Sequence, residues 1–153
     1  PVSTSKAGTL DEINWSEEIL KPNILEAEII SGIRMDSLEK TIEGLKRING
    51  LGICWVLMTD GANGAWLSGK GRVYRCPAFL GGKKNVNGAG DAFLAGAVYG
   101  RSNGRFETDM LYYGHAAASI AMESSKTVNP EMSVEMLDKR MEELKRCLKV
   151  EEI

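Results

Sequence analysis

Cys54-Trp55-Val56-Leu57-Met58-Thr59 is a continuous apolar run, held between Gly52 on one side and Gly61 and Gly64 on the other. A run without polar alternation has the pattern of a strand covered on both faces, the usual situation in a parallel sheet. On its N-terminal side, Leu38, Ile42, Leu45 and Ile48 recur at helical spacing. Asp36 or Ser37 serves as cap, and Gly50-Leu51-Gly52 stops the helix. An earlier helix is predicted from about Ile24 to Ser31, closed by Gly32. A strand edge is expected at 19–21, because Pro22 pushes the residue before it into extended backbone. A short helix is read over 9–20. On the C-terminal side, Ala65-Trp66-Leu67 and Val73-Tyr74-Arg75-Cys76 read as two strands joined through Ser68-Gly69-Lys70-Gly71. A glycine-rich loop at 81–90 then opens a helix running from near Gly88 to about Gly100. Helices over 106–123 and 133–149 follow, with Pro130 in the loop between them. This order predicts an α/β fold, a Rossmann-like layered sheet with helices on both faces. So few strands make the sheet look incomplete, and the chain opens on Pro1-Val2-Ser3 without a methionine. It therefore reads as a piece of a longer protein.

Composition narrows the function classes. Of 153 residues, 43% are hydrophobic and 26% charged, ordinary values for a soluble globular domain. A net charge of −2 provides no basic field for a nucleic-acid backbone, so no nucleic-acid partner is expected. No apolar run approaches the roughly 20 residues of a membrane span, so no membrane partner is expected either. Cys54, Cys76 and Cys147 are scattered, match no metal pattern, and fit a reducing, cytoplasmic setting. A homo-oligomer stays open.

The strongest chemical signal is Asn87-Gly88-Ala89-Gly90-Asp91-Ala92-Phe93-Leu94-Ala95-Gly96. Small residues let the backbone turn closely into a helix whose first amides lack intrahelical partners and carry the positive end of the dipole. That is an anion site suited to a terminal phosphate. Asp91 stands in its first turn. A carboxylate beside phosphate suits phosphoryl transfer, in which one group takes the proton of the incoming hydroxyl while amides hold the phosphoryl oxygens. The plainer alternative is that Asp91 merely stabilises the helix start and the glycines serve packing. Thr59-Asp60-Gly61-Ala62-Asn63-Gly64 follows the buried strand at its C-terminal end, where open α/β sheets bind ligands. Its glycines suit a polyphosphate, or equally a plain hairpin turn. Lys21-Pro22-Asn23-Ile24-Leu25-Glu26 places Asn23 and Glu26 either as a reciprocal helix cap or as the groups that hold water around Mg²⁺.

With these residues together, the chain resembles the ribokinase-like, or PfkB, family of carbohydrate and nucleoside kinases. Gly88-Ala89-Gly90-Asp91-Ala92-Phe93 looks like the family's C-terminal signature, which implies that the amides of Gly88, Ala89 and Gly90 form an anion hole and that Asp91 is the catalytic base. Asn23-Ile24-Leu25-Glu26 resembles the Asn-x-x-Glu motif associated with Mg²⁺. Thr59, Gly61 and Gly64 fall on the Thr-x-Gly-x-x-Gly nucleotide loop. The three motifs stand in family order and cover nearly the whole chain. The resemblance implies ATP as phosphoryl donor, Mg²⁺, and a sugar or nucleoside as small-molecule acceptor. It further implies that residues 1–153 are the C-terminal part of a ribokinase-like domain, holding the ATP side and the base, with an N-terminal half and lid elsewhere.

Within the family the likeness is to pseudouridine kinases, through Pro1-Val2-Ser3, Asn85-Val86 and Lys126-Thr127-Val128-Asn129-Pro130. It points to Lys126, Thr127 and Asn129 at the adenine and to the 5′-hydroxyl of pseudouridine as acceptor, with another sugar such as ribose as the alternative. Asn87 stands where a threonine is usual; with Asn85 it marks the place of a monovalent cation such as K⁺.

Other residues read as structure. His115, the single histidine, is expected to pack or face solvent. Met132, Met136, Leu137, Met141 and Leu144 form an apolar stripe expected in the core. Lys139-Arg140 and Lys145-Arg146 read as a solvated face, and Trp15, Trp55 and Trp66 as core anchors. Two functions from other classes compete. One is a nucleotide-binding regulatory module without turnover. The other is a dinucleotide-dependent oxidoreductase, which wants its glycine fingerprint after the first strand rather than late in the chain.

Overall fold

The structure, a computed structural model, describes residues 19–79, 88–104, 106–124 and 129–153. The readings at 9–18, Trp15, Asn85, Val86, Asn87 and Lys126–Val128 lie outside them. The chain divides into two compact units, one comprising residues 1–75 with 151–153 and the other residues 76–150.

The first unit is built on a mixed sheet. Its strands are β1 (Ile19–Leu20), β2 (Trp55–Thr59), β3 (Ala65–Gly69), β4 (Arg72–Cys76) and β5 (Glu151–Glu152), in that spatial order. The apolar run is β2, and it is covered as its composition predicts, with Trp55, Val56, Leu57 and Met58 fully buried. It pairs parallel with β1 and antiparallel with β3, so only one of its edges has the parallel neighbour that its sequence suggested. Gly69 lies opposite Trp55, and a side chain there would press into the indole. The strand β5 was not legible in advance. Two glutamates carry no alternation, and its register, Arg75 with Glu151 and Tyr74 with Glu152, is a tertiary pairing.

Helices α1 (Ile24–Ser31) and α2 (Leu38–Gly50) belong to this unit. Gly32 ends α1 at φ 66°, a left-handed position that glycine adopts without steric cost. Ser37, rather than Asp36, caps α2 by accepting the Lys40 amide at 3.3 Å, while Asp36 pairs with the Lys40 ammonium at 2.8 Å. The core gathers Leu20, Ala27, Leu45, Ile48, Val56 and Met58. Leu38, read with the apolar face of α2, stays half exposed at the first turn. At the far end, the Asn49 amide donates to the Ile53 carbonyl at 2.9 Å and accepts from the Ser68 hydroxyl, tying α2 to β3.

The second unit holds α3 (Ala89–Asn103), α4 (Asp109–Glu123) and α5 (Val134–Cys147). Helix α3 runs past Gly100, the end expected from sequence. Gly100 is needed inside the helix, because a side chain there would meet the Asp109 carbonyl at 2.7 Å. With Gly96 against Tyr113 and Ala117, and Gly104 against Asp109, the contacts run in opposite chain directions, so α3 and α4 are antiparallel. Helix α4 begins at Asp109 rather than 106, because the Asp109 carboxylate accepts the Phe106 amide at 3.1 Å and closes a turn before it.

Two expectations fail in α5. Leu137, Met141 and Leu144 are buried, but Met132 precedes the helix and it and Met136 are each 37% exposed. The basic pairs are not a uniformly solvated face either. Arg140 bonds the Ser119 hydroxyl at 2.9 Å and the Glu123 carboxylate at 2.7 Å, and the Glu123 bond holds its guanidinium above the usual value. Lys145 reaches the buried Asp109 at 2.8 Å. Burying one carboxylate demands a cation, which helical periodicity alone does not announce.

Candidate active site

The first unit brings together three of the positions singled out in the sequence. Asn23 caps α1, its side-chain oxygen accepting the Glu26 amide at 2.9 Å, and Glu26 returns a carboxylate oxygen to the Asn23 amide at 2.9 Å. This is a complete capping box. The chain entering it is bonded to the end of β2: the Thr59 amide donates to the Pro22 carbonyl at 3.0 Å, and Asn23 and Thr59 form a parallel bridge. The Asn-x-x-Glu segment and the Thr-x-Gly-x-x-Gly segment are thus neighbours, a link that no local pattern reveals.

Beyond Thr59 the backbone makes one 3-10 turn over Gly61–Asn63. Gly61 and Gly64 take φ of 51° and 104°, which only glycine reaches without strain. The amides of Asp60, Asn63 and Gly64 are used inside the turn, to the carbonyls of Gly64, Asp60 and Gly61. Gly64 is buried, whereas Gly61, Ala62 and Asn63 are exposed. The turn therefore presents its tip, with Gly64 supplying shape rather than a free amide.

A magnesium ion asks for oxygen ligands and keeps most of its water. Asn23 and Glu26 supply oxygens of that class, but the single side-chain oxygen of Asn23 and one of the two of Glu26 are committed to the capping box. No group of three His, Cys, Asp or Glu capable of holding a metal occurs among the described residues. The donor set fits a hydrated ion carried on a phosphate rather than a site built from protein ligands alone.

In the second unit, Gly88 stands before α3 at φ 80°, and its carbonyl accepts the Ala92 amide at 2.9 Å. Unlike α1, α2 and α5, α3 has no side-chain cap. The amides of Ala89, Gly90 and Asp91 precede the first intrahelical bond and remain for an anion. Asp91 is the third residue of the helix and is exposed. Among the described residues, no hydrogen bond or ion pair claims its carboxylate. Gly88, Ala89, Gly90 and Asp91 therefore form one continuous turn whose first amides and acid have no partner among the described residues.

Asn129 has a structural occupation. Its amide donates to the Ile120 carbonyl at 3.1 Å and its oxygen accepts from the Glu131 amide at 3.0 Å, which holds the entry to α5. Lys126 and Thr127, read with it, lie outside the described residues, as do Asn85 and Asn87.

His115 packs, as expected, against α3. It meets the Phe93 ring edge-on, centroids 5.1 Å apart at 90°. Burial depresses its basicity, to a pKa of about 4, so the imidazole is neutral. Sequence reasoning treated His115 and Phe93 separately; the glycine at 114, which makes room for the ring, was the available signal. Trp55 and Trp66 are core residues, with Lys70 and Arg75 over their rings. Cys54, Cys76 and Cys147 are all free thiols, and burial pushes Cys76 up to about 12. Among the described residues, no helix is long and apolar enough to cross a membrane.

Comparison with known proteins agrees with this layout. Residues 3–133 match the pfkB family of carbohydrate kinases. A 1-phosphofructokinase from Haemophilus influenzae is 30% identical over 76% of the chain, and the match spans only 37% of that relative's length. The crystal structure of a provisionally assigned sugar kinase from Clostridium perfringens superposes with a TM-score of 0.83 at 29% identity, covering all of this chain and 47% of the other. A ribokinase from Arabidopsis thaliana, solved with ribose and ATP, shares the fold at a TM-score of 0.75 and 24% identity, over 86% of this chain and 43% of its own.

Proposed function

Because the chain belongs to the pfkB family of carbohydrate kinases, we propose that it provides the ATP side and the catalytic base of a kinase that phosphorylates a sugar or nucleoside hydroxyl. In this reading residues 1–153 are the C-terminal part of a ribokinase-like domain whose N-terminal half and lid carry most of the acceptor pocket.

The observation that carries the reading is the unclaimed carboxylate of Asp91 at the open N-terminus of α3. The acceptor oxygen attacks the γ-phosphorus of ATP, the bond from that phosphorus to the β,γ-bridging oxygen breaks, and ADP leaves. The hydroxyl proton passes to Asp91. The amides of Gly88, Ala89 and Gly90 hold the charge that spreads over the transferring phosphoryl oxygens. The Thr59–Gly64 turn borders the polyphosphate, and Lys126, Thr127 and Asn129 border the adenine. Asn23 and Glu26 would hold the water shell of Mg²⁺, which would supply neutralisation of phosphate charge there. A monovalent cation such as K⁺ would lie near Asn85 and Asn87.

For the acceptor, Pro1-Val2-Ser3, Asn85-Val86 and Lys126–Pro130 favour the 5′-hydroxyl of pseudouridine. The similarity to a 1-phosphofructokinase and a ribokinase favours a phosphorylated or free sugar instead. An ATP-consumption assay on the full-length protein, with pseudouridine, ribose, fructose 1-phosphate and common nucleosides, separates these. Turnover on one acceptor, lost by about three powers of ten in Asp91→Asn, is the expected result. ATP binding without turnover on any acceptor would replace the kinase with a regulatory module.

A further inference from the structure

We propose that Gly114 and His115 are positioning residues for phosphoryl transfer, acting through a ring latch on Phe93 that fixes the first turn of α3 and with it Asp91. The inference rests on the reading of Asp91 as the base.

The face of α3 toward α4 is formed by Phe93, Gly96 and Gly100, spaced three and four residues apart. At Gly96 and Gly100 the two helices touch almost backbone to backbone. A side chain at 96 would come within 2.7 Å of the Ala117 methyl, and one at 100 within 2.8 Å of the Tyr113 ring. Such contacts set how near the helices lie, but glycines have no side chain to key one helix against sliding or rotation. Toward the N-terminus the glycines give way to a ring. Phe93 is 3% exposed and lies over Gly114, where a methyl group would stand 2.9 to 3.0 Å from three of its carbons. His115 closes the next side, edge-on. Gly114 and His115 thus bound the Phe93 ring on two sides.

Phe93 follows Asp91 by two residues. At about 100° per residue the two side chains leave opposite sides of the same turn, so the latch faces α4 while the carboxylate faces out. A ring displaced by a new methyl carries that turn with it, and a shift near 1 Å at a reacting group is enough to cost about a hundredfold in rate. His115 serves here as a ring rather than as a hydrogen-bonding group: its Nε2 is buried and has no partner among the described residues.

The test uses the full-length protein, with kcat, the KM for ATP and thermal unfolding measured for Gly114→Ala, His115→Ala, His115→Phe and Phe93→Leu. Gly114→Ala, His115→Ala and Phe93→Leu are expected to lower kcat tenfold or more while the KM for ATP changes less than threefold. His115→Phe, which restores a ring without the nitrogens, should return kcat to within threefold of the parent. A His115→Phe as slow as His115→Ala would overturn the latch by showing that the nitrogen matters. So would an unchanged kcat in His115→Ala. If Gly114→Ala or His115→Ala fails to fold, Phe93→Leu against His115→Phe decides by the same criteria. Full activity in Asp91→Asn would sink the reading of Asp91 itself, whereas loss in Asp91→Asn with unaltered latch variants would sink this inference alone.

Discussion

Helices α1 and α3 begin at two of the three motifs that carry the family resemblance, yet their N-termini are built in opposite ways. At α1 a capping box claims two of the terminal amides, because Asn23 and Glu26 satisfy each other's backbone amides. At α3 Gly88 supplies a left-handed turn and no side-chain cap, and Asp91 is exposed with nothing among the described residues claiming it. A closed terminus holds the scaffold. An open one leaves dipole and amides for an incoming anion, at the expense of the roughly 1 kcal/mol that a capping side chain contributes.

The sharpest way to break this contrast is Asp91→Asn. It should remove about three powers of ten in kcat while altering stability by less than about 1 kcal/mol, since only a helix-terminus charge is lost. Comparable loss of both, followed by activity assay and thermal melting, would make Asp91 a structural residue like Asn23.

The second test concerns acid. His115 in the second unit holds its proton only near pH 4 in the folded protein, against 6.5 when unfolded. Below 6.5 the unfolded chain binds the extra proton first. This group's contribution is therefore intact above pH 6.5 and falls as the pH drops toward 4, by about 3 kcal/mol. Urea titrations at pH 7, 5.5 and 4.5 should show the decline, and His115→Phe should flatten it.

Gly88→Ala is expected to cost roughly 1–2 kcal/mol, the penalty of a side chain at φ 80°, with a fall in kcat as the turn relaxes. An equally stable alanine variant would show that α3 does not need its left-handed entry. The smallest effect is expected at α1. Asn23→Ala should lose about 1 kcal/mol of stability, and Asn23→Asp should recover it by restoring a capping oxygen. The Mg²⁺ concentration for half-maximal turnover should rise in Asn23→Ala. If it does not move, the α1 terminus is a cap alone and its difference from α3 is complete.

Most helices were legible because each rule was local: a glycine at 32, a serine at 37 and apolar residues at 42, 45 and 48 interact within a few turns of chain. What misled at Arg140 and Lys145 was a partner distant in sequence. Met136 follows the apolar stripe of α5 yet stays partly exposed, while Leu137, Met141 and Leu144 of the same helix are buried. Arg140 and Lys145 look like surface charge until Glu123, Ser119 and Asp109 come into reach.

By itself the sequence determined the α/β order, the glycine turns and the placing of Asp91 in the first turn of a helix, because steric freedom and helix polarity act between near neighbours. Only the tertiary structure decided that Pro22 would bond Thr59, that β5 would pair with β4, and that Phe93 would rest on Gly114 and His115. Those contacts join residues far apart in the chain. They form only once burial of the core has offset the entropy of bringing distant segments together.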